Sequence, residues 1–263
     1  RRNMKALVYG NGESRKVWDV TKKYEGFTTW GCNAIHRDCV VDNLVVIDYA
    51  MQQEVYQSEY AFSNKCHFAD WAILEDFDPE FMKADYSSEY IFETPKDEFP
   101  KCVVQGKAQK DAEENYRKTV TKFPHLDRED LRTKCYKDVG LYITWLGQKD
   151  RVEDIDFPRN WSAGNTALHL ACQEGADEVF MLGFDLSSYQ KPINNIYKGT
   201  DHYLPSNSNG FDPVNWISQL ETLFDEFYEV KFTWVVNNDF ISPTSKNNVH
   251  YMFYKDLDKL CQV

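Results

Sequence analysis

The sequence predicts an α/β fold in which a mostly parallel sheet is flanked by helices. Short apolar runs of the kind that form buried strands alternate with amphipathic segments through the first third of the chain. The first run, Lys5–Tyr9, ends in the tripeptide Gly10-Asn11-Gly12, and an alanine-rich helical pattern follows Ser162. Strands that alternate with helices in this way are typical of a parallel sheet.

Length and composition favour one domain over residues 1–263. The chain has 263 residues, of which 42% are hydrophobic, and this suffices for a single large core. The formal net charge of −12 disfavours an extended nucleic-acid surface, because such surfaces are basic. No apolar run approaches the roughly 18 residues of a membrane span, so we expect a cytoplasmic protein without a transmembrane segment. Seven cysteines without zinc-site spacing predict reduced thiols and no metal.

The elements of the first half follow from these apolar runs. After Lys5–Tyr9, we expect a helix near Ser14–Lys23 and an amphipathic helical stretch near Met51–Tyr60. Further strands are predicted near 28–32, 44–47, 65–68, 89–92 and 102–105. The stretch 107–137 is rich in charge and poor in large apolar residues, so we interpret it as a peripheral helical insertion.

The second half begins with a strand near 140–145 and then the clearest helix of the chain, Ser162–Gly175. Ser162 is a good N-cap, alanines supply a packed face, and Gly175 stands where a left-handed residue commonly ends a helix. A strand at 178–182 precedes a loop over 187–213, which we interpret as a lid. A helix near 214–227, a strand near 230–236 and a helix near 255–261 complete the prediction.

The tripeptide Gly10-Asn11-Gly12 predicts an anion site. A strand that ends in a glycine turn and opens a helix directs free backbone N–H groups at one point, and this suits a phosphate. A dinucleotide fingerprint would need a third glycine, where this chain has Arg15, and a carboxylate at the next strand tip, where it has Asn33. No Gly-Lys-Ser/Thr follows, so a Walker loop is disfavoured as well. A plain tight turn remains the alternative.

Other predicted strand tips and one helix start extend this candidate site. In a parallel sheet ligands bind at the carboxyl ends of the strands, where this chain places Asn33, Asp48 and Asp185. The helix start Ser162-Ala163-Gly164 could face the same crevice. The alternative for Asn33 is a hydrogen bond to its own backbone in a turn. The alternative for Asp185 is to cap the turn that follows it. The expected ligand is a nucleotide, held through backbone N–H groups, amides and a carboxylate.

The order of these motifs resembles the bacterial CMP-sialic-acid-dependent sialyltransferases, the family that includes the Campylobacter lipooligosaccharide enzymes. The residues that carry the resemblance are the GNG turn, Cys32-Asn33, Ser162-Ala163-Gly164, the segment EVFMLGFD at 178–185 and His202-Tyr203. The resemblance implies a single Rossmann-like, GT-A-like domain. It implies a CMP-activated sugar as the donor, no metal or separate cofactor, a carbohydrate or small-molecule acceptor, and a lid over the donor. A homo-oligomer is left open.

The resemblance also implies roles for individual residues. Asn11, Gly12 and Asn33 would contact the donor nucleotide, Ser162 and Gly164 would hold its phosphate or sugar carboxylate, and Asp185 would lie in the nucleotide pocket. Gly10, Ala163 and Asp48 complete the predicted donor-binding set.

Transfer to a hydroxyl needs a base, and His202 is the candidate because histidine titrates near neutral pH. Tyr189 and Tyr197 in the loop could donate to the leaving phosphate. The family has a second histidine after its His-Tyr pair, whereas His202-Tyr203 is followed by Leu-Pro-Ser. A solvated loop histidine and ordinary loop tyrosines are the alternatives.

Two other functions stay open. The helix, strand and GxD pattern is also similar to archaeal pterin pyrophosphokinase-like proteins and to motility-associated glycosyltransferases, which would imply diphosphate transfer with ATP and a divalent cation. The missing second histidine would also suit a non-catalytic nucleotide-binding protein.

Overall fold

The computed structural model describes residues 3–69, 71–74, 91–92, 101–105, 121–122, 124–125, 142–146, 152–155, 159–186, 191–237 and 242–261. The chain divides into two compact units, one of residues 1–45 and 159–263 and the other of residues 46–158. Most of the predicted insertion 107–137 lies outside the described residues. One domain over 1–263 stays a prediction.

Strands and helices follow one another along the described part of the chain. The strands are β1 (Lys5–Tyr9), β2 (Phe27–Cys32), β3 (Asn43–Val46), β4 (Cys66–Phe68), β5 (Trp71–Leu74), β6 (Ile91–Phe92), β7 (Lys101–Gln105), β8 (Tyr142–Leu146), β9 (Val152–Asp154), β10 (Glu178–Leu182), β11 (Lys231–Val236) and β12 (Val249–Phe253). The α-helices are α1 (Tyr49–Gln57), α2 (Tyr60–Ser63), α3 (Ala163–Gln173), α4 (Val214–Glu226) and α5 (Tyr254–Cys261), and 3-10 helices span Glu13–Val17 and Asn33–Arg37.

The first unit is built on a parallel sheet in the order β12-β11-β10-β1-β2-β3. The chain runs outward from β1 to β2 and β3 on one side, and β10 to β12 lie on the other. Tyr9 is in register with both Leu182 and Gly31, so the carboxyl ends of β1, β10 and β2 lie at one level. The predicted α/β class is therefore confirmed, and β1 is the point at which the strand order reverses.

Burial explains why these strands read as continuous apolar runs. Leu7, Val8 and Tyr9 of β1 are fully buried, and so are Phe180 and Met181 of β10. Both faces of a parallel sheet are covered, so no polar alternation is expected along such strands. Helix α3 packs on β1, β2 and β10 and supplies part of this cover.

Helix α3 begins and ends as predicted. The Ser162 side chain accepts a hydrogen bond from the Asn165 N–H at 3.3 Å, which is an N-cap contact. At the other end Gly175 has φ +95°, its N–H donates to the Cys172 carbonyl, and the Ala176 N–H donates to the Ala171 carbonyl. This pair of bonds is a Schellman motif, which needs a left-handed residue at the glycine position.

One prediction for the first unit was wrong, and one of its strands was not predicted. The helix expected near 14–23 is only the 3-10 turn Glu13–Val17, because Trp18 is extended and its ring turns to stack on Tyr24 at 4.8 Å between centroids. Asp19 then accepts hydrogen bonds from the N–H and hydroxyl of Thr21, which makes a local turn. Strand β12 was not predicted, because its side chains are mostly exposed at the edge of the sheet.

The second unit contains further short strands. β4 pairs with β9 in parallel, and a separate sheet has the order β5-β7-β8-β6, in which β7 is antiparallel to β5 and β8. The buried Gln52 side chain of α1 donates to the carbonyls of Val46 and Ala69, at 3.0 and 2.8 Å. Among the helices in the described part of the chain, none is long and apolar enough to cross a membrane.

Candidate functional site

A pocket of about 200 Å³ lies where the strand order reverses, at the carboxyl ends of β1, β2 and β10. All of its lining residues belong to the first unit. Five asparagines line it: Asn11, Asn33, Asn165, Asn194 and Asn195. Asp185 is the carboxylate in the described lining, which includes no lysine or arginine. The pocket is therefore rich in neutral donors and acceptors.

The structure brings most of the predicted donor-site residues together in this pocket. The predicted residues that line it are Gly10, Asn11, Gly12, Asn33, Ser162, Ala163, Gly164 and Asp185. Asp48, which was predicted with them, precedes α1 in the second unit. The early glycine turn and the later serine-capped helix thus face a common hollow, although they are about 150 residues apart. Their roles toward a ligand stay predictions.

The glycine turn is closed by its own backbone bonds. The Gly10 N–H donates to the Leu182 carbonyl at 2.7 Å, and the Gly12 N–H donates to the Gly183 carbonyl at 2.8 Å. A Cβ added at Gly12 would lie 2.6 Å from the Asp185 carboxylate and from the Gly183 carbonyl oxygen, so only glycine fits there. The two glycine-bearing strand ends are therefore locked together.

This closure corrects one expectation about the anion site. The N–H groups of Gly10, Gly12, Glu13 and Ser14 all have partners within the protein, the last two being the Asn194 amide oxygen at 2.8 Å and an Asp185 carboxylate oxygen at 2.9 Å. They are not free to receive a phosphate, contrary to the expectation from sequence. Asp185 instead caps the 3-10 turn from a position 171 residues further along the chain.

Helix α3 offers backbone donors at this pocket. The N–H groups of Ala163 and Gly164 stand in its first turn and have no partner among the residues that the structure describes. The helix has 11 residues, and the positive end of its dipole faces the pocket. An anion in this pocket would therefore be held at the beginning of α3.

Two amide oxygens in the pocket lack hydrogen-bond donors. Asn11 Oδ1 and Asn33 Oδ1 are both buried and unpartnered within the described residues. The Asn11 amide nitrogen lies 3.5 Å from both the Cys32 carbonyl oxygen and the Tyr203 hydroxyl. Asn33 has φ +50°, a left-handed conformation that asparagine tolerates better than most residues. Each unsatisfied buried acceptor costs about 1–3 kcal/mol, so a ligand with matching donors would be stabilised here.

A hydrogen-bond network fixes the wall that α3 shares with α4. Asn165 is 2% exposed, and its amide nitrogen donates to the Trp216 carbonyl and to the Gln219 amide oxygen, at 3.2 and 2.9 Å. The same Gln219 oxygen accepts the Ser162 N–H at 3.1 Å. Trp216 lines the pocket, and its ring meets that of Phe211 edge to face at 6.0 Å between centroids. The pocket thus has an aromatic rim.

The predicted catalytic residues have a different placement. His202 is exposed, with φ +65°, and is not among the pocket-lining residues. Tyr197 is buried, donates its hydroxyl proton to Asp38 at 2.5 Å and accepts a bond from Arg15 Nη2 at 3.1 Å. Burial raises the pKa of Tyr197 above its ordinary value, although the Arg15 charge opposes this. Tyr189 lies outside the described residues. Catalytic roles for all three stay predictions.

The described part of the predicted lid, 191–213, is anchored on the glycine turn. The Ile196 N–H donates to the Asn11 carbonyl at 2.8 Å, and Asn194 caps Glu13. Arg37 donates to the Thr200 hydroxyl at 2.8 Å. Closure of this segment over a ligand stays a prediction.

Sequence reasoning missed several residues at this site. Tyr203 and Asn194 contact the glycine turn although they are far from it in the sequence, and no local pattern indicated this. Arg15 had a signal, because it occupies the position at which a dinucleotide fingerprint has glycine.

An α/β fold with a pocket at the reversal of its strand order is a frame on which many nucleotide-binding proteins are built. No protein-family model matches the chain, and no curated protein does. Among solved structures, the chain is similar to the sialyltransferase CstII from Campylobacter jejuni, solved in complex with a substrate analogue, cytidine-5'-monophosphate. The match covers 95% of this chain and 88% of that one, with 16% identity and a TM-score of 0.36, so the similarity is distant.

Proposed function

We propose that this protein is a transferase whose donor is a CMP-type nucleotide sugar and whose acceptor carries a hydroxyl group. The observation that carries the proposal is the pair of buried, unpartnered amide oxygens on Asn11 and Asn33. A cytosine amino group and a ribose diol each present two hydrogen-bond donors, so either of them would satisfy this pair. The nucleoside is therefore expected on the β1 and β2 side of the pocket.

The beginning of α3 supports a single phosphate. Ala163 and Gly164 present N–H groups at the positive end of the helix, a combination that binds phosphates well. In the described lining the carboxylate is Asp185, and it already accepts the Ser14 N–H. A diphosphate bound with Mg²⁺ usually has carboxylate ligands and basic side chains around it. The donor set here therefore favours a monophosphate donor bound without a metal over ATP.

The volume of the pocket suggests that it holds only part of the donor and that the rest lies at its rim. A pocket of about 200 Å³ is smaller than most sites that enclose a whole small ligand. We expect the nucleotide to fill it and the transferred sugar to lie at the rim, against Trp216. An aromatic ring beside amide groups suits a sugar, whose C–H face packs on the ring while its hydroxyls bond the amides.

The proposed reaction is a displacement at the anomeric carbon of the donor. The acceptor hydroxyl transfers its proton to His202, its oxygen bonds to the anomeric carbon, and the bond from that carbon to the phosphate oxygen breaks. CMP leaves with the electron pair of that bond, and the N–H groups at the beginning of α3 stabilise its charge. His202 lies within the anchored segment 191–213 and precedes Tyr203, whose hydroxyl lies near Asn11.

A non-catalytic nucleotide-binding protein is the second candidate. It is favoured by one observation, namely that His202 is exposed and stands outside the pocket lining. Under this alternative, His202→Asn changes neither nucleotide affinity nor donor hydrolysis. Under the transferase proposal, it abolishes turnover of a CMP sugar and leaves CMP affinity intact.

Thermal unfolding with added nucleotides tests the binding site. In a chelator, CMP at 100 times its dissociation constant should stabilise the protein by about 2.7 kcal/mol, which raises the Tm by several degrees. Asn33→Gly retains the left-handed backbone but removes the amide, so affinity should fall about tenfold or more. The matched control is Asn160→Gly, another left-handed asparagine, with φ +55°, exposed and outside the pocket lining. Stabilisation by ATP with Mg²⁺ alone would favour diphosphate transfer, and no shift with any nucleotide would refute the proposal.

A further inference from the structure

Arg15 is a buried cation whose charge is only partly compensated. It is 2% exposed, and Nη2 donates to the Tyr197 hydroxyl, whereas Nε and Nη1 are buried and have no partner in the described part of the chain. Buried charges are normally paired directly with an opposite charge, because an uncompensated ion is costly away from water. A residue that retains such a charge calls for an explanation beyond packing.

The side chain begins directly behind the pocket. The Arg15 N–H donates to the Gly12 carbonyl at 3.2 Å, and the Arg15 Cβ lies 3.2 Å from where a Cβ on Gly183 would stand. Gly12 and Gly183 both line the pocket. The start of this side chain therefore lies against the backbone of two glycines that line the pocket.

The carboxylate of Asp38 is linked to Arg15 through the hydroxyl of Tyr197. The Tyr197 hydroxyl accepts the bond from Arg15 and donates its own proton to Asp38 at 2.5 Å. Asp38 is exposed, so water screens its charge, whereas the Arg15 guanidinium is surrounded by protein. The electrostatic potential inside the protein is therefore influenced more by the Arg15 guanidinium than by the Asp38 carboxylate.

The pocket itself carries no compensating cation in its described lining, and its carboxylate is Asp185. An anionic ligand placed there would be repelled by Asp185 and attracted by the positive end of α3, and a positive charge outside the lining would add to that attraction. Coulomb interactions need no contact and fall off slowly in a low dielectric. Arg15 has the position and the burial for this effect.

We propose that Arg15 is the specificity-determining charge that makes the pocket prefer an anionic nucleotide to the uncharged nucleoside, and that Asp38 moderates this preference through Tyr197. The inference rests on the proposed nucleotide site and adds the source of its charge selectivity. It gives the buried guanidinium a function that its hydrogen bonds alone do not explain.

The test compares the affinities of CMP and cytidine, measured by titration calorimetry on the full chain. The natural protein should bind CMP more tightly. Arg15→Met should lower the CMP-to-cytidine affinity ratio about tenfold, because it removes a buried positive charge whose attraction for an anion is little screened by water. Cytidine affinity should stay within about twofold. Asp38→Asn should change the ratio in the opposite direction, raising it about two- to threefold, because it removes the moderating charge.

Matched variants separate charge from structure. Lys16→Met removes the neighbouring positive charge, which is exposed and paired with Glu13, and should leave the ratio within about twofold of the natural value. Arg15→Lys keeps the charge and should retain most of the preference. An Arg15→Met protein that loses CMP and cytidine affinity equally would show a structural role only and overturn the inference. If that variant does not fold, an unchanged ratio in Asp38→Asn overturns it.

The CMP and cytidine affinities of the natural protein also distinguish this inference from the proposed function. Equal affinity for CMP and cytidine would overturn the role of Arg15 and leave the nucleotide site standing. Binding of neither ligand would overturn both.

Discussion

Two recesses open beside the segment that follows β1, and they differ in size and in chemistry. The smaller, of about 200 Å³, is lined by glycines and asparagines, whereas the larger, of about 580 Å³, is lined by aromatic and charged side chains. In the larger recess the tyrosine hydroxyls are already bonded, Tyr24 to the Asp19 carbonyl and Tyr254 to Ser14 and Gly183. In the smaller one two amide oxygens lack donors, whereas the unpartnered buried atom in the described lining of the larger one is a single donor, the Trp18 indole nitrogen. The pair of unmet acceptors beside the beginning of α3 therefore identifies the candidate site better than volume does.

Tyr254 connects the two recesses. Its ring lines the larger one, while its hydroxyl accepts the Gly183 N–H and bonds the Ser14 hydroxyl, both at 3.0 Å. The Ser14 N–H in turn donates to Asp185, which lines the smaller one. We therefore expect the walls of the larger recess to support the geometry of the smaller one from behind.

The largest effect is expected from Gly12→Ala, which strikes the smaller pocket directly. Its Cβ would lie 2.6 Å from the Asp185 carboxylate and from the Gly183 carbonyl oxygen, a backbone atom that cannot move without distorting the chain. We expect a loss of about 1–3 kcal/mol of stability from overpacking, together with loss of the CMP-induced rise in Tm. Gly175→Ala is the control, because its strain comes from φ +95° with no atom within 4 Å of the new Cβ. That variant should unfold earlier yet still respond to CMP.

A smaller effect is expected from Tyr254→Phe, which tests whether one recess supports the other. Loss of the hydroxyl leaves the buried Gly183 N–H without an acceptor, at a cost of about 1–3 kcal/mol. CMP affinity should fall severalfold, as measured by calorimetry. Tyr24→Phe removes a hydroxyl that donates to the Asp19 carbonyl, away from the smaller pocket, and should leave CMP affinity unchanged. If both variants lost CMP affinity equally, the Tyr254 hydroxyl would have no specific role in supporting the smaller recess.

The smallest effect concerns pH and compares α3, whose beginning lines the smaller recess, with Tyr254, which lines the larger one. Burial lowers the pKa of His169 on α3, with the Arg159 charge adding to this and the Glu226 carboxylate opposing it. Because the unfolded chain binds this proton more readily, the stabilising contribution is complete above about pH 6.5 and is lost as the pH falls through the lower pKa of the folded state. Burial raises the pKa of Tyr254 to about 12, so its contribution is complete below about pH 10 and is lost as the pH rises through about 12.

Urea unfolding at several pH values measures these contributions. His169→Gln should flatten the acid side of the stability profile by a fraction of a kcal/mol and leave the alkaline side unchanged. Tyr254→Phe should do the reverse. A His169→Gln profile identical to that of the natural protein between pH 5 and 7 would contradict the assignment.

Helix α3 shows how much of this structure could be predicted from local sequence. Ser162 caps it and Gly175 ends it, as expected, because both preferences act within a few residues. The segment after Gly12 shows the opposite case. Its backbone N–H groups bond Asn194 and Asp185, which are 181 and 171 residues from their donors, so a helical pattern became a short 3-10 turn.

The candidate site also contains residues that local sequence could predict and residues that it could not. Strand tips were predictable, because glycine or asparagine after a buried apolar run marks the end of a strand, and these tips do meet at one pocket. The positions of Tyr203, Asn194 and the buried Arg15 guanidinium were not predictable, since they depend on how the segment near residue 200 packs on the glycine turn.

The amino-acid sequence by itself determined the α/β class, the buried strands and the two ends of α3, since hydrophobic periodicity and capping act over short stretches of chain. Only the tertiary structure decided which N–H groups remain for a ligand, which amide oxygens stay unsatisfied and which charge lies behind the pocket. Those properties are settled by contacts between residues that are far apart in the chain, and such contacts leave no local pattern to read.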